Sequence, residues 1–220
     1  MLRIEEANVS IQKTAILHGV SLWMPAGSVA GLIGRNGAGK TTLMRTIMGF
    51  LRVTTGSIRF DDRDLVATPA YHRVRLGIGY MPEDRRLVPS MTVEENILLP
   101  QSATRDPALD GRLEWVYELM PEVAEFSARR ALQLSGGQQK LVALARALFC
   151  GTRLLLLDEP FEGVAPALAQ RLVEVIDTLK GQGQSVLLSE SDHVHSAELL
   201  DRLYVIERGT VHEKPLPAQA

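Results

Sequence analysis

The chain has 220 residues, 45% of them apolar, which suits one large domain, or a domain with a subdomain, built around a substantial core. Its 24 Lys and Arg against 26 Asp and Glu leave a net charge of −2 with no basic block, which argues against nucleic acid as the main partner. The single cysteine, Cys150, excludes an internal disulfide and suits a reducing compartment; the first residues lack a secretion-signal pattern and no apolar run is long enough to cross a bilayer, so any membrane role is expected to run through a partner.

Residues 2–4 and 9–11 read as short strands, and residues 18–24 as another, ended by Pro25-Ala26-Gly27. Residues 29–33 form a buried strand that runs into Gly34-Arg35-Asn36-Gly37-Ala38-Gly39-Lys40-Thr41-Thr42. Gly, four residues, then Gly-Lys-Thr is the spacing of a phosphate-cradling loop. Its glycines allow a tight fold with N–H groups turned inward, and the helix that follows adds partial positive charge at its N-terminus. Lys40 is placed to reach the β and γ phosphates, and the Thr41 hydroxyl to ligate Mg²⁺. A glycine-rich turn with no ligand is the plain alternative; strand, loop and helix in this order weigh against it.

Residues 56–60 then read as a strand into a turn, Pro69 opens a helix ending near Gly77, and residues 77–81 are a strand stopped by Pro82-Glu83. From residue 84 to 148 helical periodicity dominates. Thr92 and Glu95 match a capping box; Leu109, Leu113, Val116 and Met120 are expected on one helix face that Pro121 ends. Val88, Met91 and Val93 are expected at the surface of a loop, with core burial the alternative. Leu134-Ser135-Gly136-Gly137-Gln138-Gln139 leads into a helix from Lys140 to Leu148, and its hydroxyl and bare N–H groups make a second anion site.

Residues 154–157 are four leucines, a central parallel strand, and Asp158, Glu159 and Pro160 stand at its end, where parallel sheets hold ligands. Asp158 is placed to hold Mg²⁺, and Glu159 to orient or deprotonate an attacking water. Pro166 opens a helix with Gly181 past its end; residues 185–189 are a strand, residues 203–212 a hairpin, and the tail after Lys214 is expected to fray.

Together these motifs resemble the ATP-binding subunits of ABC transporters over residues 2 to 213. The resemblance implies an α/β fold: a P-loop NTPase core with a parallel sheet, an N-terminal antiparallel β part and an inserted helical subdomain. The core would span residues 1–83 and 149–213, the helical subdomain about 84–148, and the tail 214–220. It also implies ATP and Mg²⁺ as cofactors, and two subunits packed head to tail. Each ATP would lie between one subunit's loop and the other's Ser135-Gly136-Gly137-Gln138. Two membrane permease subunits and, indirectly, an extracytoplasmic solute-binding protein would complete the machine at the cytoplasmic face of the inner membrane. Tyr80-Met81-Pro82-Glu83, Thr92-Val93-Glu94-Glu95-Asn96 and Glu159-Pro160-Phe161-Glu162-Gly163 are most similar to branched-chain amino acid importer ATPases and their urea and amide relatives. Lipopolysaccharide-export ATPases share much of the pattern.

Four positions depart from the broad family. Ile11 stands where an aromatic residue stacks on adenine; Trp23 fills that role only under a different alignment. Glu83 replaces a glutamine, and as a carboxylate it is a further candidate for the metal. Ser191 replaces a histidine, with His193 and His195 nearby. Ala165 replaces an aspartate. These departures weaken this chain's own catalytic half-site of Lys40, Glu159 and Ser191 but spare Ser135-Gly136-Gly137. A heterodimer is therefore expected in preference to a homodimer. A nucleotide-binding regulatory module with little turnover is the alternative.

Overall fold

The computed structural model describes residues 1–104, 106–192 and 194–216. β1 (Leu2–Ile11) and β2 (Thr14–Met24) form an antiparallel hairpin, and β3 (Val29–Ile33) leads into α1 (Lys40–Ile47). β4 (Val53–Phe60), β5 (Arg63–Asp64), the short α2 (Ala70–Arg73) and β6 (Ile78–Met81) follow. The middle of the chain holds α3 (Val93–Thr104), α4 (Arg112–Leu119), α5 (Pro121–Ala124) and α6 (Gly136–Cys150). β7 (Leu154–Asp158), α7 (Pro166–Gly181), β8 (Ser185–Glu190), β9 (Arg202–Glu207) and β10 (Thr210–Lys214) complete it.

One sheet is antiparallel, in the order β2-β1-β4-β5; the other runs β10-β9-β3-β8-β7-β6 and is parallel except for β10. Every residue of β3, β7 and β8 is buried, as continuous apolar runs in a sheet covered on both faces require. Side chains alternate across it. Leu154 and Leu156 pack with α1 and the antiparallel sheet, Leu155 and Leu157 with α6 and α7. The register pairs Asp158 with Ser189 and Ile33 with Glu190, so the C-terminal ends of three strands meet at one edge.

Several elements differ from the sequence reading. Residues 2–4 and 9–11 are one strand, because the polar stretch between them is absorbed as a bulge in which Glu6 has φ 48°. Leu109 lies in a separate helical turn, since Gly111 at φ 74° breaks the chain before α4. Pro121 opens α5 as its first residue instead of only closing α4. The helix expected from Lys140 begins at Gly136. Val93 is fully buried. The Thr92–Glu95 capping box forms, with hydrogen bonds of 2.7 and 3.1 Å, and directs the first turn of α3 at the core. The buried Asn96 amide accepts from Val88 N–H at 2.7 Å and donates to Thr92 O at 2.9 Å, folding the preceding loop down so that Val88 and Met91 are half-buried. Cys150 is a buried thiol whose pKa burial pushes up to about 11, the inert form of cysteine. Most of the tail after Lys214 lies outside the described residues.

Candidate active site

Gly34 follows β3, and its N–H donates to Glu190 O at 3.1 Å. A Cβ there would stand 2.4 Å from the Ile206 carbonyl, so only glycine lets the loop begin against β9. Arg35, Asn36 and Gly37 are the exposed tip; Ala38 turns back, its N–H donating to Arg35 O at 3.0 Å. Gly39 has φ 115°, a left-handed value that favours glycine, and its carbonyl receives Leu43 N–H at 2.9 Å to start α1. Lys40, Thr41 and Thr42 form the first turn, which carries no acidic residue to fill the anion site at the helix end. Beside the loop lies a cavity of about 270 Å³ lined by Ile16, Asn36, Gly37, Gly39, Lys40, Thr41, Thr42, Glu83 and Glu159.

Lys40 is 5% exposed, and its ammonium lies 2.9 Å from Glu159 Oε1. It also donates to the carbonyls of Gly34 and, at 3.2 Å, Arg35. Glu159 thus sets on the loop lysine a negative charge of the kind a phosphate would bring. Its backbone has φ 50°, strained for a residue with a side chain, and its N–H donates to Ser189 O at 3.1 Å and Ser189 Oγ at 3.2 Å. Ser191 shares its hydroxyl proton between Asn36 Oδ1 at 3.1 Å and Glu159 Oε1 at 3.2 Å.

Asp158 is fully buried. Its Oδ1 accepts from Ser189 Oγ at 2.7 Å and Thr41 Oγ1 at 3.2 Å; its Oδ2 accepts from the Tyr80 hydroxyl at 3.1 Å. Burial raises the Asp158 pKa, and these three donors oppose the rise. Glu83 sits on the rim, its pKa raised by burial first and then by Glu162, Asp158, Glu159 and Asp84. The crowding of carboxylates against a phosphate loop fits a divalent cation. Thr41 and Asp158 offer hard oxygen donors side by side, and Mg²⁺ takes one or two carboxylates plus substrate oxygens and water. Among the described residues no group of three or more His, Cys, Asp or Glu is arranged as a dedicated metal cage.

The second anion site stands apart. Ser135 caps α6, its Oγ accepting from Gln138 N–H at 3.3 Å while Gln138 Oε1 accepts from Ser135 N–H at 3.0 Å. Ser135 and Gly136 are exposed, Gly137 and Gln138 half-exposed, and none of the four lines the loop cavity. Two basic side chains tie this helix start to the carboxylate edge. Lys140 Nζ donates to Glu159 O at 2.9 Å and Glu162 O at 2.6 Å, and burial lowers its pKa to about 8. Arg85 Nη1 donates to Gly136 O at 3.3 Å and Gln139 Oε1 at 3.2 Å.

Ile11 lies beside the tip of the β1–β2 hairpin, 37% exposed, while Ile16 is the hairpin residue that lines the loop cavity. Trp23 is at the far end of that hairpin under the Arg202 guanidinium, 4.3 Å from it. His195 packs on Phe161, ring centroids 5.3 Å apart, and does not line the loop cavity; His193 lies outside the described residues. Ala165 caps α7 with no side-chain hydrogen bond. Ile16, Tyr80, Ser189 and Lys140 were not anticipated. The available signals were a serine just after the apolar run Val186-Leu187-Leu188 and a lysine just before the apolar run of α6.

A model of the ABC transporter family matches residues 17–162. The high-affinity branched-chain amino acid transport ATP-binding protein BraG of Pseudomonas aeruginosa is 37% identical over 211 residues, 96% of this chain and 91% of that protein. The lipopolysaccharide export system ATP-binding protein LptB of Haemophilus influenzae is 30% identical over 221 residues, 100% of this chain and 92% of that protein. A nucleotide-free ATP-binding cassette from an ABC transporter superposes with a TM-score of 0.84 at 28% identity, covering 99% of this chain and 92% of that one. Nearly the whole length is accounted for by these likenesses, and the chain belongs to the ABC transporter family as an ATP-binding, ATP-hydrolysing subunit.

Proposed function

We propose that the chain energises an importer of branched-chain amino acids or related small solutes such as urea and amides. In this reading it pairs head to tail with a second ATP-binding subunit, most readily a different one. The pair sits beneath two permease subunits at the cytoplasmic face of the membrane, with a solute-binding protein delivering from outside. The likeness to BraG supports the solute class. The observation that carries the reading is the split between two anion sites: Lys40, Thr41, Asp158 and Glu159 cluster together, while the Ser135 cap is exposed and does not line their cavity. A second chain that brings its own loop to Ser135 would complete a site that neither chain has alone.

Within the site, Lys40 and the N–H groups of the loop from Gly34 to Thr42, apart from those of Gly34 and Ala38 that donate within the fold, hold phosphates, and Ser135, Gly136, Gly137 and Gln138 meet the partner's nucleotide. Thr41 and Asp158 would hold Mg²⁺, with Glu83 as a further candidate ligand; the ion would supply positive charge against the phosphates. Glu159 orients and deprotonates water, and Ser191 supplies a weaker donor than the family's histidine. Losing a well-aimed donor to transition-state charge costs about 3–4 kcal/mol, two to three decades in rate, which favours a slow own half-site in a heterodimer. Ile11 gives the adenine apolar contact without a ring to stack on. The permeases dock at the second cavity, about 460 Å³, whose wall includes Phe50, 53% exposed, with Tyr80, Pro82 and Pro100.

The likeness to LptB keeps an exporter as the second reading. ATPase of the purified chain, alone and with its permeases in vesicles, separates the possibilities. Stimulation of about tenfold or more with leucine, isoleucine or valine accumulating inside supports import. Stimulation without uptake favours export, and turnover indifferent to permeases favours the regulatory module.

A further inference from the structure

Three hydroxyls converge on Asp158, and each comes from a different element. Thr41 lies in the first turn of α1, Ser189 on the neighbouring strand β8, and Tyr80 on β6. Ser189 and Thr41 share one carboxylate oxygen; Tyr80 holds the other, at 3.1 Å. The Tyr80 ring is half-buried and tilts against Phe50, centroids 6.1 Å apart, in the wall of the 460 Å³ cavity that Asp158 also reaches. The contact runs from the phenol hydroxyl, which donates, to a carboxylate oxygen, which accepts.

We propose that Tyr80 is a positioning residue for the metal: its hydroxyl holds Asp158 Oδ2 and so aims Oδ1 toward the Thr41 hydroxyl, where Mg²⁺ is to be bound. The proposal rests on reading Asp158 as the magnesium carboxylate. Without the phenol nothing else in the described structure donates to Oδ2, and the carboxylate is held through Oδ1 alone, about which Oδ2 can turn. A magnesium ion would then meet the carboxylate in the right orientation only part of the time, and affinity falls by that fraction. Tyr80 does not line the loop cavity, so its effect on the metal would run through Asp158.

Tyr80→Phe keeps the ring and its packing on Phe50 and removes one oxygen. In the purified full chain with a non-hydrolysable ATP analogue, Mn²⁺ binding followed by electron paramagnetic resonance weakens about three- to tenfold. The Mg²⁺ concentration giving half-maximal ATPase rises by a similar factor. Nucleotide affinity in EDTA, where no metal is present, stays within about twofold of the wild type. Asp158→Asn serves as the reference and must weaken Mn²⁺ more than Tyr80→Phe does. If Asp158→Asn weakens Mn²⁺ and Tyr80→Phe leaves it unchanged, the positioning role is wrong and the metal site stands. If neither substitution moves Mn²⁺, the assignment of Asp158 itself is overturned and Tyr80 goes with it. A loss of metal-free affinity equal to the Mn²⁺ effect makes Tyr80 a packing residue only.

Discussion

Replacing Lys40 with alanine lowers MgATP affinity about 100-fold or more and takes ATPase below detection. The ammonium is 5% exposed and its only carboxylate partner in the described structure is Glu159, at 2.9 Å. Removing one member of a buried pair costs about 3–5 kcal/mol, because the other is left charged and unpaired. At 1.36 kcal/mol per decade that is about two to four decades, applied here both to the phosphates that Lys40 meets and to Glu159 in the empty state. The two effects separate. Lys40→Ala lowers Tm by several degrees, and adding Glu159→Gln restores most of it by removing the stranded charge, while ATP binding stays lost. Calorimetric titration with MgATP and a thermal scan of the single and double variants check this. Nucleotide uptake unchanged in Lys40→Ala contradicts the assignment.

Glu159→Gln alone behaves differently. Glutamine has the same length and leaves the Ser189 contacts to the backbone N–H untouched, but it cannot take a proton from water. General base catalysis contributes about 10²–10⁴-fold, and ATPase of this half-site falls by that much. ATP affinity holds or rises, since the bound phosphates no longer displace a carboxylate from Lys40. In the assembled transporter the asymmetry appears as a difference: Glu159→Gln reduces transport less than the same change in the partner. Equal losses would remove the heterodimer argument built on Ser191, Ala165 and Ile11.

The phosphate loop, the four-leucine strand and the Ser135 cap were legible because each depends on local spacing. Glycine, a β-run and a capping box act within a few residues, and the folded chain needs nothing distant to form them. What reaches across the chain was not legible. Tyr80 meets Asp158 over 78 residues and Ser189 meets it over 31, through a strand order that no short stretch encodes. Val93 took the alternative reading, core burial, for a related reason. A valine in a loop bearing Pro and Arg reads as surface until Asn96 folds that loop onto the core. Ile16, which lines the loop cavity, was not legible because counting along a hairpin does not tell which residue faces the neighbouring loop.

The central claim is that one triphosphate is held by this chain's loop and by a neighbour's helix start. A photoreactive group carried on the γ-phosphate of an ATP analogue reads it directly, in the assembled transporter with Glu159→Gln and the same change in the partner subunit to prevent turnover at both sites. After illumination and mass mapping, label is predicted both in the peptide holding residues 34–42 and, from a nucleotide on the other subunit, in the peptide holding residues 134–139. Label confined to the loop peptide, with residues 134–139 never marked in any nucleotide-loaded state, contradicts it.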